Sequence, residues 1–267
     1  MSTALTRAVA YRMVCGFAAD ELLGGVTTIR TVGGLGDFDT RLRDETAAGR
    51  RDGPRILAAN RGISVPGGHM AGSVAIAAHS IDEALAHPER SKKEGVDLIK
   101  LMITGGVLDA KEKGVPGELK MAPEMVRAVC DRAHEMGYIV AAHVESGVRV
   151  ALENDIPVVL GNDVGCPWIT QYDFWCELYY FCKYIGVSNS FALWTVTARS
   201  AELAGIADVT GSIIPGKCAD MIVTAGNPLD DIRNLRNIDT DIARGRVYDH
   251  PRVKVNARVA AEPDKFI

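Results

Sequence analysis

Short apolar runs alternate with helical segments along most of this sequence, and that alternation limits the folds open to it. Each run is the length of a buried parallel strand and ends in a loop that carries glycine or polar residues. The runs cover residues 26–32, 55–59, 96–103, 138–144 and 156–160. The pattern predicts βα units arranged around a parallel sheet, and hence an α/β fold.

The helical segments between the runs have readable ends. The opening segment has an apolar residue at every fourth position: Leu5, Val9, Met13 and Phe17. This spacing predicts an amphipathic helix that ends at Gly24. Ser80 and Glu83 have the spacing of a capping box, whereas Pro123 suits a first helical position and Gly137 suits a stop.

Length and pattern together predict how the chain divides. With 267 residues and 47% hydrophobic content, it can bury one large core with a small appendage. After Gly205 the pattern changes to short β-like pieces at 211–214, 219–223 and 242–248, with a turn at Pro215-Gly216. We therefore expect a large α/β domain over residues 1–205 and a small β appendage over 206–267.

The net charge and the cysteine spacing bear on the partners and on the cellular location of the protein. The net charge is −4, and acidic and basic residues are interspersed, so no basic patch indicates a nucleic-acid partner. The six cysteines form no CxxC pair, which favours free thiols and a cytoplasmic location. We expect no membrane association, since the amino terminus lacks a signal-peptide core and no segment approaches ~18 apolar residues.

Three titratable residues follow predicted strands, where parallel α/β folds carry their reactive groups. Lys100 lies late in an apolar strand, where loss of water favours a neutral amine that can react with carbon dioxide. The alternative is a lysine paired with an acid. His143 suits a zinc ligand or a simple hydrogen bond. Asp163 suits a metal ligand and proton carrier, or else an Asx turn or helix cap.

Five stretches of the sequence together resemble the amidohydrolase superfamily. They are residues 25–30, 99–106, 141–145, 161–165 and 211–220. They are most similar to its imidazolonepropionase-related and Xaa-Pro dipeptidase-like branch, and the similarity covers nearly the whole chain in order. The resemblance implies a metal-dependent hydrolase with a (β/α)8 TIM-type barrel in residues 1–205 and a small C-terminal β-sandwich segment.

The same resemblance implies roles for the three residues. Lys100 would be the carboxylated bridging lysine of a site for one or two divalent ions, with zinc expected, and His143 would be a ligand of one ion. Asp163 would be both a ligand and the general acid/base. The implied reaction is hydrolysis of an amide or other C–N bond, in a peptide-like or cyclic amide substrate, through metal-activated water.

The chain departs from the family pattern in ways that predict an incomplete barrel. The family's His-x-His pair on the first strand and its histidine on the sixth are absent from this sequence. The sequence begins with the helix that would follow the first strand, and the sixth and seventh strands are missing after Glu153. Two alternatives therefore stand beside the enzyme: a non-catalytic or fragmentary barrel that serves as a binding or structural protein, and a chain lacking segments of a longer protein.

Two further residues are expected on the catalytic face. His69 follows a strand and is assigned to substrate binding, and Cys166 follows Asp163 and suits packing or a substrate contact. The aromatic stretch 172–184 predicts core packing, with self-association into a homo-oligomer as a second hypothesis. The glycine pairs match no phosphate-binding motif and are expected to let the backbone approach the site: 33–34, 67–68 and 105–106.

Overall fold

The structure is a computed structural model that describes residues 3–106, 117–143, 152–153, 157–164 and 169–262. The chain forms two compact units, one from Met1–Thr27 with Gly147–Ile267 and the other from Thr28–Ser146. The predicted boundary at residue 205 is a different division and stays a prediction.

In chain order, the described ranges form the helices and strands α1 (Ala4–Leu23), β1 (Thr28–Thr31), α2 (Phe38–Ala47), β2 (Arg55–Ala58), β3 (Gly62–Ser64), β4 (Ala75–Ala77), α3 (Ile81–Lys93), β5 (Leu98–Met102), α4 (Pro123–Glu135), β6 (Ile139–His143), α5 (Trp175–Tyr180), a π-helical segment (Phe181–Ile185), α6 (Asn189–Val196), α7 (Ala198–Leu203), β7 (Met221–Thr224), a 3-10 helix (Ile232–Arg236), β8 (Ile238–Ala243), β9 (Arg246–Asp249) and α8 (Ala257–Ala260).

The strands β1–β6 of the unit Thr28–Ser146 pair with one another in parallel, and one isolated antiparallel bridge joins Thr104 to Leu119. β1 pairs with β2, and a second sheet has the order β4-β3-β5-β6. Four predicted strands are confirmed, because β1, β2, β5 and β6 lie within the apolar runs. β3 and β4 were not predicted, since strands of three residues are too short to show a period.

The predicted strand at 156–160 is wrong. Residues 157–160, the part that the structure describes, form no strand. Pro157 lacks a backbone N–H and cannot donate to a ladder, so valine and leucine alone do not make this segment a strand.

The four-stranded sheet has two distinct faces. Ile63, Ile99 and Leu101 pack with Val129 of α4 on the face that the helices cover. On the other face, Leu98 of β5 packs with Ala141 of β6 and with Ala59. Because side chains alternate along a strand, Lys100 and His143 lie on this second face; we call it the inner face.

Several predicted helix ends are confirmed. The Ser80 hydroxyl accepts a hydrogen bond from the Glu83 N–H at 3.2 Å and so begins α3. The Glu83 carboxylate accepts from the His79 N–H at 2.8 Å rather than from Ser80, so the box extends one residue further back. Pro123 begins α4, and Gly137 follows its end with a φ of +82°.

The predicted first helix is confirmed as α1, which ends against Gly24. Its buried side chains belong to Tyr11, Cys15, Ala18, Glu21 and Leu22. The apolar row with the four-residue spacing is instead exposed to solvent: Leu5, Val9, Met13 and Phe17. The spacing therefore identified a helix but not its buried face.

The short β-like pieces that the sequence predicts after Gly205 are confirmed in part. β7, β8 and β9 form an antiparallel sheet with β8 in the middle. Residues 211–214 form no strand, since 211–212 are a bend and 213–214 have no regular structure. Residues 242–248 are not one strand but part of a hairpin, because Arg244 and Gly245 turn the chain with φ values of +52° and +78°. The turn at Pro215-Gly216 is confirmed, because the Lys217 N–H donates to the Ile214 carbonyl at 3.2 Å.

The aromatic stretch contributes to a core, as predicted. Trp175 and Leu178 of α5 are buried with Ile232 and Leu235 of the 3-10 helix. The π-helical segment continues α5 and ends at Gly186, which has a φ of +86°. No helix within the described ranges is both long and apolar enough to cross a membrane.

Candidate active site

Lys100 lies in the middle of β5, where every residue is buried, and it is only 7% exposed itself. The aliphatic part of its side chain passes Gly62 of the neighbouring strand β3. A Cβ atom at position 62 would lie 3.1 Å from the Lys100 Cγ, which is closer than ordinary van der Waals contact. Glycine at this position therefore leaves the space that the lysine side chain occupies.

His143 ends β6 and is paired in register with Met102 of β5. The structure brings His69 onto it: the two imidazole rings stack with centroids 4.3 Å apart and planes 13° from parallel. Gly106 packs beside both rings, since a Cβ there would lie 2.5 Å from His69 Cε1 and 3.2 Å from His143 Nε2. The second glycine of pair 105–106 thus lets the backbone approach the candidate site.

Asp163 belongs to the other compact unit. It is exposed and has a φ of +49°, a left-handed backbone conformation that residues other than glycine seldom adopt. Glu177 of α5 lies close enough to respond to its charge: burial raises the pKa of Glu177, and the negative charge of Asp163 raises it further. Cys166 lies outside the described residues.

Two hydroxyl groups on the inner face were not predicted from the sequence. Ser64 and Thr104 are buried, and neither hydroxyl has a hydrogen-bond partner among the described residues. Their signal in the sequence was position alone: Ser64 is two residues after Gly62, and Thr104 is four residues after Lys100. Serine and threonine are too common in strands for that position to indicate a function.

Two buried carboxyl groups of the other unit were also missed. Burial raises the pKa of Glu21 on α1 to about 8, with the Asn162 side chain acting in the opposite direction. Burial likewise raises the pKa of Asp241 on β8 to about 7. Acidic residues are usually exposed, so nothing in the sequence separates these two from the rest.

The donors within the described ranges fall short of a two-metal centre. No group of three or more His, Cys, Asp or Glu side chains in those ranges converges on one point. The nitrogen lone pairs of an imidazole lie in the ring plane, so the nearly parallel rings of His69 and His143 do not aim at a common ion.

Comparison with solved structures identifies relatives over almost the full chain. A protein from Bifidobacterium longum that is assigned as a prolidase is 30% identical, with a TM-score of 0.87 over 96% of this chain and 81% of that one. A Xaa-Pro dipeptidase with methionine bound in its active site is 25% identical, with a TM-score of 0.81 over 91% and 80% of the two chains.

A third structure, of an amidohydrolase, shares the fold at 22% identity, with a TM-score of 0.74 over 92% and 80% of the two chains. Neither a protein-family model nor a curated protein matches the sequence. The resemblance drawn from the sequence motifs is thus confirmed, and the chain belongs to the amidohydrolase superfamily of hydrolases.

Proposed function

We propose that this protein is a metal-dependent amidohydrolase that cleaves the amide bond of a dipeptide-like substrate, with Xaa-Pro dipeptides as the first class to test. The observation that carries the proposal is the relative assigned as a prolidase, which is 30% identical over 96% of this chain. The Xaa-Pro dipeptidase at 25% identity supports the same substrate class. A cyclic amide is the second class.

We further infer that the parallel strands β1–β6 belong to an incomplete (β/α)8 TIM-type barrel over residues 1–205. The all-parallel pairing of these strands and the TM-score of 0.87 to the Bifidobacterium longum protein support this. The antiparallel strands β7–β9 would be one part of a β-sandwich in residues 206–267.

In this proposal Lys100 and His143 hold a divalent ion, with zinc proposed, on the inner face of the sheet. The ion supplies polarisation of the substrate carbonyl and a water molecule of lowered pKa. Lys100 first forms a carbamate, because an ammonium group has no lone pair for a metal. His69 is proposed to contact the substrate, and the stacking of its ring on His143 supports this assignment.

Asp163 is proposed as a further metal ligand and as the residue that takes a proton from the attacking water and passes it to the leaving amine. This role rests on the family resemblance. Its side chain is exposed to solvent.

The first experiment measures metal content by elemental analysis of protein purified without chelator. Wild type is compared with the variants Lys100→Ala and His143→Ala, and with His134→Ala on the exposed side of α4 as the matched control. We expect about one or more equivalents of metal in wild type and control, and loss in both test variants. Release of free proline from Met-Pro should follow the same order.

Wild-type protein without metal would contradict the proposal and favour a scaffold that binds without catalysis. Metal that remains bound in both variants would instead mean that other residues are its ligands.

Two further proposals concern the setting of the protein. The cysteines in the described ranges are Cys15, Cys130, Cys176, Cys182 and Cys218. They form no disulfide with one another, which supports the proposal of a reducing compartment such as the cytoplasm. A homo-oligomer is proposed as a second hypothesis from the aromatic stretch, and light scattering at several protein concentrations tests it.

A further inference from the structure

His87 is a buried histidine that the proposed reaction does not use. It lies on α3, and its side chain is only 4% exposed. Ala84, one turn earlier on the same helix, belongs to the same core cluster as Ile63 of β3. Residues three apart share one face of a helix, so His87 faces the sheet. A polar ring that is buried there needs a hydrogen-bond partner.

That partner is the backbone at the start of β3. The Nε2 atom of His87 lies 2.9 Å from the carbonyl oxygen of Arg61, the residue directly before β3. A carbonyl only accepts hydrogen bonds, so Nε2 carries a proton and donates it. The other ring nitrogen, Nδ1, is closed off from solvent and has no hydrogen-bond partner in the described part of the chain. The bond from Nε2 therefore joins α3 to β3.

The surroundings of His87 favour the neutral ring. Burial lowers the pKa of His87 below its ordinary value of 6.5, and the positive charges of Arg90 and Arg61 act in the same direction. The hydrogen bond to the Arg61 carbonyl and the negative charge of Glu94 oppose part of this effect. Near neutral pH the ring is therefore uncharged and has a single N–H, which points at the carbonyl.

Strand β3 is the direct neighbour of Lys100. Ile63 of β3 pairs with Leu101 of β5, which puts Gly62 beside Lys100. A Cβ atom at position 62 would lie 3.1 Å from the Lys100 Cγ and 3.4 Å from the Lys100 carbonyl oxygen. At such separations a small displacement of the Gly62 backbone changes the space that is left for the lysine side chain.

We propose that His87 is a positioning residue for Lys100. It acts through the planar peptide group that joins Arg61 to Gly62. The carbonyl of this group accepts from His87, and its N–H donates to the Val74 carbonyl at 2.9 Å, so the group is held from two sides. Without His87 one side is lost, and Gly62 shifts against Lys100. The inference rests on the proposed function, because it supposes that Lys100 takes part in the site.

The test compares two replacements of the histidine. His87→Phe keeps a ring but has no N–H, whereas the amide nitrogen of His87→Gln replaces the Nε2 donor. Ser91→Ala is the matched control, because Ser91 is buried on the same helix. If His87→Phe fails to fold, His87→Leu removes the donor with a smaller side chain.

Two quantities are measured on folded protein. The first is hydrogen–deuterium exchange at the Gly62 amide, followed by NMR, which needs no catalytic assay. The second is kcat and KM for Met-Pro with Zn²⁺ supplied, at a temperature where circular dichroism shows every variant to be folded.

We expect the Gly62 amide to exchange about tenfold faster in His87→Phe than in wild type, the effect of losing one hydrogen bond. We expect kcat to fall by about tenfold or more with little change in KM, because a small misplacement of a group in the site costs that much. His87→Gln and Ser91→Ala should stay close to wild type in both measurements. Recovery in His87→Gln separates the loss of a donor from a change in packing.

The outcomes separate the two levels of inference. Faster exchange at Gly62 with an unchanged kcat in His87→Phe would overturn the role of His87 at Lys100 and leave the proposed function standing. Unchanged exchange at Gly62 would overturn the hold on the peptide group itself. Wild-type protein that does not hydrolyse Met-Pro would overturn the proposed substrate class and the positioning role with it, whereas the exchange measurement would still report on the His87 hydrogen bond.

Discussion

Asp241 offers the sharpest test of the electrostatics of the unit that contains β8. Its side chain is 0% exposed, and neither carboxylate oxygen has a hydrogen bond of ordinary length in the described residues. Burial raises its pKa to about 7, the nearby Ile242 backbone N–H offsets only part of this, and the charge of Asp220 adds to it. The folded unit therefore holds a proton on Asp241 near neutral pH.

The size of the effect follows from linkage. An unperturbed aspartate has a pKa of 3.8, and the folded value is about 7. Each pKa unit corresponds to about 1.4 kcal/mol, so the full difference approaches ~4 kcal/mol. Because the folded state retains a proton that the unfolded chain releases, the contribution to stability is complete below pH 3.8 and is lost as the pH rises to about 7.

Asp241→Asn stays neutral at every pH and should remove this slope. We expect the free energy of unfolding at pH 7.5 to rise by about 2–4 kcal/mol relative to wild type, after some loss for a buried amide with few partners. Urea unfolding at pH 5.0 and 7.5, followed by tryptophan fluorescence, measures it, because all three tryptophans fall in the ranges of this unit. Asp239→Asn, half-buried on the same strand, is the control. Equal pH slopes in wild type and Asp241→Asn would refute the reasoning.

The remaining predictions concern a second buried acid, the histidine stack and the metal. Glu21→Gln should also stabilise the protein above about pH 5, because the pKa of Glu21 is raised from 4.5 to about 8 and its stabilising contribution is lost across that range; urea unfolding against pH shows the change. Gly106→Ala should separate His69 from its partner ring and lower kcat/KM for Met-Pro by about tenfold or more, whereas Gly16→Ala, with open space around its Cβ, should leave kcat/KM unchanged. Dialysis against a chelator should abolish hydrolysis of Met-Pro, and added Zn²⁺ should restore it; activity that persists without metal would contradict the mechanism.

How much of the fold the sequence predicts depends on the length of each element. The strands β5 and β6 lie in apolar runs of seven or eight residues, long enough to exclude a loop. β3 and β4 have three residues each and gain their stability from pairing in register, which is a property of the sheet rather than of the local sequence. The hairpin at Arg244-Gly245 was predicted as one strand because its turn has only two residues.

The candidate site likewise has features that the sequence predicts and features that it does not. The positions of Lys100 and His143 on strands β5 and β6 agree with the predicted strands, and their chemical roles stay predictions. The stacking of His69 on His143 depends on the path of a loop, and the burial of Asp241 depends on what packs across the sheet. Neither is encoded in the spacing of nearby residues, so both emerge only from the tertiary structure.

The exposed apolar row on α1 has a practical consequence for work with this protein. Leu5, Val9, Met13 and Phe17 face solvent one above another, whereas the opposite side of the helix carries the buried contacts. Polar replacements in the row would therefore remove little packing and would reduce a patch that promotes precipitation. Glutamate and lysine are strong helix formers, so these four positions are the natural places to engineer solubility and crystal contacts.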